Sequence, residues 1–328
     1  MSKSYGYKSL TLNYQLSSSG GAFSKIVEVF YSNGEGVVYG AIMDENTNVV
    51  HDRATTLEDC CKFRKSKYVR SDSASVHQQV ANDLNEGLRV LFTGSPCQIG
   101  ALKTYLGKRE IDTSNLYLVD FICNGAPSPR TWRDYVSWVE KKVGKRMIYF
   151  GFREKGDPNN PYLTLAKFED GSIIKDNSIT ACYNRLFLQK YIVPEGCFNC
   201  VYKKEERVSD ITIGDFWGSE NVFERKDLKK GVSLVIVNSK KGETLFDNSL
   251  CSEEREIVVE CHNKEYLPFQ LNLQGVSTKP LSYGAFWSDY QMCGIDYVLR
   301  KYADMAYPKV ILYPLRRFAR NIKSLLRR

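Results

Sequence analysis

No uncharged apolar run approaches the roughly 18 residues needed to cross a bilayer, and the chain does not open on a charged region followed by an apolar stretch. Neither a membrane span nor a secretory signal is expected, and the cytoplasm is the default address. Histidine is scarce. The three residues His51, His77 and His262 stand in no arrangement that would serve a histidine-dependent hydrolase. The sequence has no internal repeat, low-complexity tract or clear linker, so its 328 residues are read as one large or two ordinary globular domains, with a 43% apolar fraction adequate for a packed core. Net positive charge is also scarce outside one segment. Seven of the residues behind the net charge of +8 (Lys309, Arg316, Arg317, Arg320, Lys323, Arg327 and Arg328) fall in 309–328 with no acidic residue among them, leaving the rest close to neutral. A nucleic-acid module needs a basic folded face, so nucleic acid is not an expected partner.

Local patterns point to an α/β fold that becomes mixed α+β in the second half. Phe23, Ile26, Val27 and Phe30 recur at helical spacing within 22–31, a buried strand is expected over 36–43, and a helix over 74–86 is closed by Gly87. A strand at 89–92, a turn at 93–96, a helix over 97–106 and a strand over 116–122 form a βαβ unit, which favours parallel pairing. A helix is expected over 129–143, a hairpin over 162–174 turning at Glu169, Asp170 and Gly171, strands over 208–213 and 232–237, and a helix over 240–248. The expected organisation is an α/β part over 1–145, a mixed part over 146–308, and a basic amphipathic tail over 309–328. Within that tail Leu315, Phe318, Ala319, Ile322, Leu325 and Leu326 recur at helical spacing between the cations, so a helix over 315–328 is expected to dock on an acidic partner or on anionic lipid.

Ten cysteines in a chain of this size and compartment indicate metal ligation, redox work or buried thiols rather than disulfides. Cys197 and Cys200 form a Cys-x-x-Cys pair, which can be a metal turn or a dithiol. Cys97 follows a strand in a Gly-Ser-Pro turn, and Cys123 ends the next strand, so both belong at the carboxyl-end edge where open α/β sheets bind ligands. Together they make a four-thiolate set suited to zinc or to a [4Fe-4S] cluster. Cys60, Cys61, Cys182, Cys251, Cys261 and Cys293 lie in no such turn or spacing and read as ordinary thiols.

Six ordered segments carry a resemblance: residues 17–21 (SSSGG), 66–69 (SKYV), 92–98 (FTGSPCQ), 123–125 (CNG), 197–202 (CFNCVY) and 209–218 (SDITIGDFWG). In this order they resemble the signature segments of the coenzyme F-420 hydrogenase/dehydrogenase beta-subunit family, over about residues 5–245. The resemblance implies βαβ units around a central sheet with cofactors at the strand carboxyl ends, namely non-covalent FAD and a [4Fe-4S] cluster. It implies Cys97, Cys123, Cys197 and Cys200 as cluster ligands. It implies a flavin-binding set of Ser18, Ser19, Gly20, Gly21, Lys67, Tyr68, Gly94, Ser95, Asn124, Asp215 and Trp217, but no catalytic residue. In physical terms, Gly20 and Gly21 would let a pyrophosphate approach a helix N-terminus, although serines there also cap helices. Lys67 would supply positive charge, Asp210 or Asp215 a carboxylate for ribose, and Trp217 a stacking indole.

The family often has histidine where Asn124 stands and threonine where Ser95 stands. Many relatives open with a ferredoxin-like segment, and no cysteine-rich stretch precedes Ser17. The resemblance therefore implies an oxidoreductase taking electrons from or giving them to a separate ferredoxin-like or other electron-transfer protein, with a small organic acceptor. Relatives of this kind also occur in polysaccharide gene clusters. Two alternatives stay open: a non-catalytic scaffold or partner subunit of the same fold, and a four-cysteine zinc module.

Overall fold

The structure is a computed structural model that describes residues 3–155, 163–223, 228, 231–247, 251–275 and 278–303. The expected tail helix over 315–328 lies outside the described residues. Eleven strands run in chain order among them: β1 (Lys3–Ser9), β2 (Val37–Met43), β3 (Val49–Ala54), β4 (Val90–Gly94), β5 (Leu116–Phe121), β6 (Met147–Glu154), β7 (Leu163–Phe168), β8 (Ile173–Lys175), β9 (Ile211–Asp215), β10 (Ser233–Val237) and β11 (Glu256–Glu260). Eight of them form one sheet in the order β11-β1-β10-β9-β5-β4-β2-β3, and β6, β7 and β8 form a second.

The centre of the large sheet is parallel, with β2, β4, β5 and β9 side by side. Antiparallel strands extend it on both flanks: β3 beyond β2, and β10, β1 and β11 beyond β9. Strands from both sides of residue 145 thus share one sheet. Successive side chains of its central strands face opposite cores. Val38 and Leu91 pack under the helix Ala22–Ser32, while Val37, Tyr39, Val90 and Phe92 pack under the helices His77–Asn85 and Pro96–Gly107. Burial on both faces is why these strands read as continuous apolar runs rather than as alternating ones.

The small sheet is backed by the helices Pro129–Val143, Ser178–Leu188 and Tyr283–Tyr302 around an aromatic core that includes Trp132, Tyr135, Phe150, Phe152 and Tyr183. Trp132 Nε1 donates to the Thr47 carbonyl at 2.6 Å, fixing this unit to the turn between β2 and β3. The helix Pro129–Val143 coincides with its expected span because its signals are local: Ser128 caps it by accepting from Thr131 N, and Gly144 ends it at φ 74°. β9 starts later than expected. Ser209 and Asp210 are engaged in a turn, where Asp210 accepts from Leu118 N at 2.8 Å and from Ser239 Oγ at 2.5 Å.

One buried group makes the fold acid-sensitive. His51 on β3 stacks on Phe92 with ring centroids 5.1 Å apart, and its Nε2–H donates to the Thr93 carbonyl at 2.8 Å. Its Nδ1 is buried with no hydrogen-bond partner among the described residues. Burial pulls its pKa down from 6.5 to about 4, against the raising effect of the Thr93 carbonyl. Between those values the unfolded chain binds a proton that the native one refuses, so stability falls as pH drops from 6.5 toward 4, by about 3 kcal/mol in total from this site. Denaturant titrations across this window should show a shallower pH slope for His51→Gln than for the parent. Parallel slopes would assign the acid sensitivity elsewhere.

Candidate functional site

The parallel pairing of β4 with β5 brings their carboxyl ends to one edge, and the segments leaving them carry Cys97 and Cys123. Cys97 sits in the first turn of the helix Pro96–Gly107, whose start is locked by Gln98. Its Oε1 accepts from Ser95 N and Ser95 Oγ at 2.9 Å each, and its Nε2 donates to Ser71 O and Oγ at 3.0 Å each. Ser95 Oγ lies 3.2 Å from the Cys97 sulfur. Past β5, Gly125 N–H donates to the Cys123 sulfur at 3.3 Å. Gly125 has φ 116°, and a Cβ there would stand 2.6 Å from Val193, so the loop closes only around a glycine.

The Cys-x-x-Cys turn is anchored by what lies between and behind its cysteines. Phe198 is buried and meets Tyr283 edge-on at 5.3 Å, and the Tyr202 hydroxyl occupies the space beside Gly100 on the helix Pro96–Gly107. As a result Cys97, Cys123, Cys197 and Cys200 line a single cavity, together with Arg70 and Lys203. Burial raises the Cys123 thiol to about 12, assisted by the Cys97 and Cys197 sulfurs and opposed by Gly125 N–H and Lys203. Lys203, 5% exposed, is lowered by its own burial and raised by Cys123, Cys197 and Cys200. The four thiols thus form a soft donor set with the Lys203 ammonium beside three of them, Cys123, Cys197 and Cys200. Among the described residues, no three His, Cys, Asp or Glu side chains converge on a single-ion position.

The residues expected at a flavin fall around two neighbouring regions. Ser95 and Asn124 lie on the cysteine turns, and Gly94 ends β4. Ser18 Oγ accepts from Ser66 N at 2.9 Å, which joins the serine loop to the segment carrying Lys67 and Tyr68. The Tyr68 ring stacks on Phe187 at 4.6 Å, and its hydroxyl is acted on by Ser66, Arg153 and Asp215. Asp215, at the carboxyl end of β9, pairs with Arg153, and Trp217 follows it with 43% of its surface exposed. Asp210 is at the opposite end of β9, with its carboxylate engaged as described above.

Three expected residues have structural partners that the sequence did not announce. Lys67 Nζ donates to the carbonyls of Phe63 at 3.1 Å and Arg64 at 2.9 Å, closing the 3-10 helix Asp59–Phe63, and burial draws its pKa down to about 7. Gly20 N–H donates to Ser233 Oγ at 2.9 Å, and Ser19 Oγ to the Val232 carbonyl at 3.0 Å, so the serine loop is fastened to β10.

Sequence reasoning missed the small sheet's contribution. Lys155, just past β6, donates to the carbonyls of Tyr14 and Ser19 and is lowered to about 7 by burial and by Arg153 and Lys8. Arg153 and Lys155 follow the buried Phe150 and Phe152 at the end of β6, where the pairing register shifts between Gly151 and Glu154, so a simple period-2 pattern did not mark them.

A family model for the carboxy-terminal part of the coenzyme F420 hydrogenase/dehydrogenase beta subunit matches residues 87–260, a span that holds all four cavity cysteines and Asp215. Among solved structures, a chain from the F420-reducing [NiFe] hydrogenase complex of Methanosarcina barkeri is similar in fold, with a TM-score of 0.55 and 16% identity over 83% of this chain and 87% of that one. A search of curated proteins gave no significant match. The family match covers more than half of the chain, and the chain belongs to the coenzyme F420 hydrogenase/dehydrogenase beta-subunit family.

Proposed function

We propose that this chain is a redox subunit holding a [4Fe-4S] cluster on Cys97, Cys123, Cys197 and Cys200 and FAD beside it, exchanging electrons between a protein partner and a small organic acceptor. The observation that carries the reading is the convergence of four cysteines, from three separate segments, on one cavity at the carboxyl edge of a parallel sheet. A cluster supplies one-electron storage, and FAD links one-electron to two-electron chemistry. The protein's part is to bind, orient and shield. Gly125 N–H and Lys203 offset thiolate charge, while Phe198 and Val193, both buried, exclude water behind the cavity. Four thiols lining one cavity suit a [4Fe-4S] cluster, with zinc as the alternative that metal analysis separates.

For the flavin, Ser18 offers a hydroxyl, Arg153 and Lys155 offer cations for a pyrophosphate or a reduced ring, and Trp217 offers an exposed indole for stacking, whereas the hydrogens of Ser19 and Lys67 are already donated within the fold. The partner is a separate electron-transfer protein. The exposed side chains of Val201 and Leu271, next in sequence to the cavity-lining Cys200 and Asn272, give such a protein apolar surface to cover. No described helix is long and apolar enough to cross a membrane.

Anaerobic purification followed by iron, zinc and flavin analysis tests the reading, with about four irons and one FAD per chain expected. Protein without flavin would favour the scaffold reading, and zinc in place of iron the metal module. Lys155→Met should weaken FAD binding about tenfold in a fluorescence titration, about 1.4 kcal/mol, with iron unchanged. Unchanged affinity would remove Lys155 from the flavin face.

A further inference from the structure

Arg207 stands seven residues beyond Cys200, and its guanidinium is fully engaged. Nε donates to Thr212 Oγ1 at 3.1 Å, NH1 to the carbonyls of Tyr202 at 2.9 Å and Lys204 at 3.2 Å, and NH2 to Asp120 Oδ2 at 2.9 Å and the Phe121 carbonyl at 3.4 Å. These contacts use all five N–H donors of the side chain. Four of the five acceptors belong to two cysteine segments, and the fifth, Thr212, is on β9. Tyr202 and Lys204 follow Cys200, whereas Asp120 and Phe121 precede Cys123. Asp120 Oδ1 also accepts from Thr212 Oγ1 at 2.6 Å, and Asn238 Nδ2 donates to that same hydroxyl at 3.1 Å, so β5, β9 and the cysteine loop share one network.

We propose that Arg207, paired with Asp120, is a positioning residue that sets the spacing of Cys200 from Cys123 before any cluster is bound. The inference rests on the four-cysteine reading above. Tyr202 and Phe121 are each two residues from a cavity cysteine, so the guanidinium acts as a short brace between the two segments. The ion pair is buried, with side chains 2% and 0% exposed. Such a pair is seldom better for stability than apolar residues of similar volume, because both charges lose their hydration. What it offers instead is a fixed geometry: the planar fork defines five directions at once, which a lysine ammonium with three rotatable donors cannot reproduce.

The test compares the parent with R207K and with the double variant D120L/R207M, which replaces the charged pair by apolar side chains. Two readouts are taken. The first is the yield of the Cys123–Cys200 cross-link formed by a bis-maleimide on the iron-free native protein, mapped by peptide mass spectrometry. The second is iron retained against a chelator after anaerobic reconstitution, together with the reduction potential. The double variant should melt close to the parent, yet both variants should give less cross-link, lose iron at least about tenfold more readily and show a shifted potential. Parental cross-linking and iron retention in both variants would overturn the proposal. So would loss of the fold in D120L/R207M, because the pair would then be a general structural requirement. If the parent itself takes up no iron, the cluster reading fails, while the cross-link comparison still decides the positioning role.

Discussion

Serine at any one of Cys97, Cys123, Cys197 or Cys200 is expected to take the anaerobically purified protein from about four irons per chain to nearly none. The four thiols line one cavity but come from three segments, so no neighbouring cysteine stands ready to replace a lost ligand. Serine preserves shape and hydrogen bonding but offers a hard, weakly acidic oxygen where a soft thiolate is needed. The remaining cysteines provide the contrast. Cys251 packs against the core beneath the helix Ala22–Ser32, and Cys293 is exposed beside Gly294, where the helix Tyr283–Tyr302 kinks. Cys251→Ser and Cys293→Ser should keep parental iron. Full iron in any of the four cavity variants, measured colorimetrically and by the broad visible absorption, would strike that residue from the ligand set.

Gly20→Ala is expected to cost at least about 4 kcal/mol, at the severe end of single substitutions. A Cβ on Gly20 would stand 2.5 Å from Ser233 N and closer still to the Tyr7 carbonyl oxygen, both backbone atoms of adjacent strands in the large sheet. No rotamer change relieves such an overlap, because the neighbours are main chain in β1 and β10. Gly21 differs. It has φ 97°, and its nearest neighbour to a built Cβ is the Ser9 Cβ at 3.3 Å, so alanine there meets chiefly the left-handed penalty of about 1–2 kcal/mol. Thermal melts of the iron-free proteins should rank parent, Gly21→Ala and Gly20→Ala in falling order. A Gly20→Ala protein that melts with the parent would show that the serine loop is not pressed onto the sheet. The result also decides how flavin loss in glycine variants is read: at Gly20 it follows from a damaged fold, so Ser18 and Lys155 are the sounder probes of the flavin face.

The parallel centre of the sheet and the helix Pro129–Val143 were legible in the order of the amino acids, because their signals are local. Apolar runs of strand length, a capping serine, a closing glycine and the turns at Gly94 and Gly125 each act within a few residues. The placement of Cys97 and Cys123 at strand ends was legible too, since it needs only the βαβ order, whereas the arrival of Cys197 and Cys200 at the same cavity belongs to the packed chain. The place of β1 between β10 and β11 came from the packed chain alone: Tyr5 pairs with Val235 and with Glu260, partners more than 200 residues away that no local period encodes. Packing likewise holds Gly20 against two strands and lets Lys67 close a 3-10 helix. It also brings Arg153 and Lys155 from the small sheet to the serine loop and joins Arg207 to Asp120. A lone cation or glycine carries no mark of its partner in the sequence, because burial and pairing are properties of the packed chain and not of its spacing.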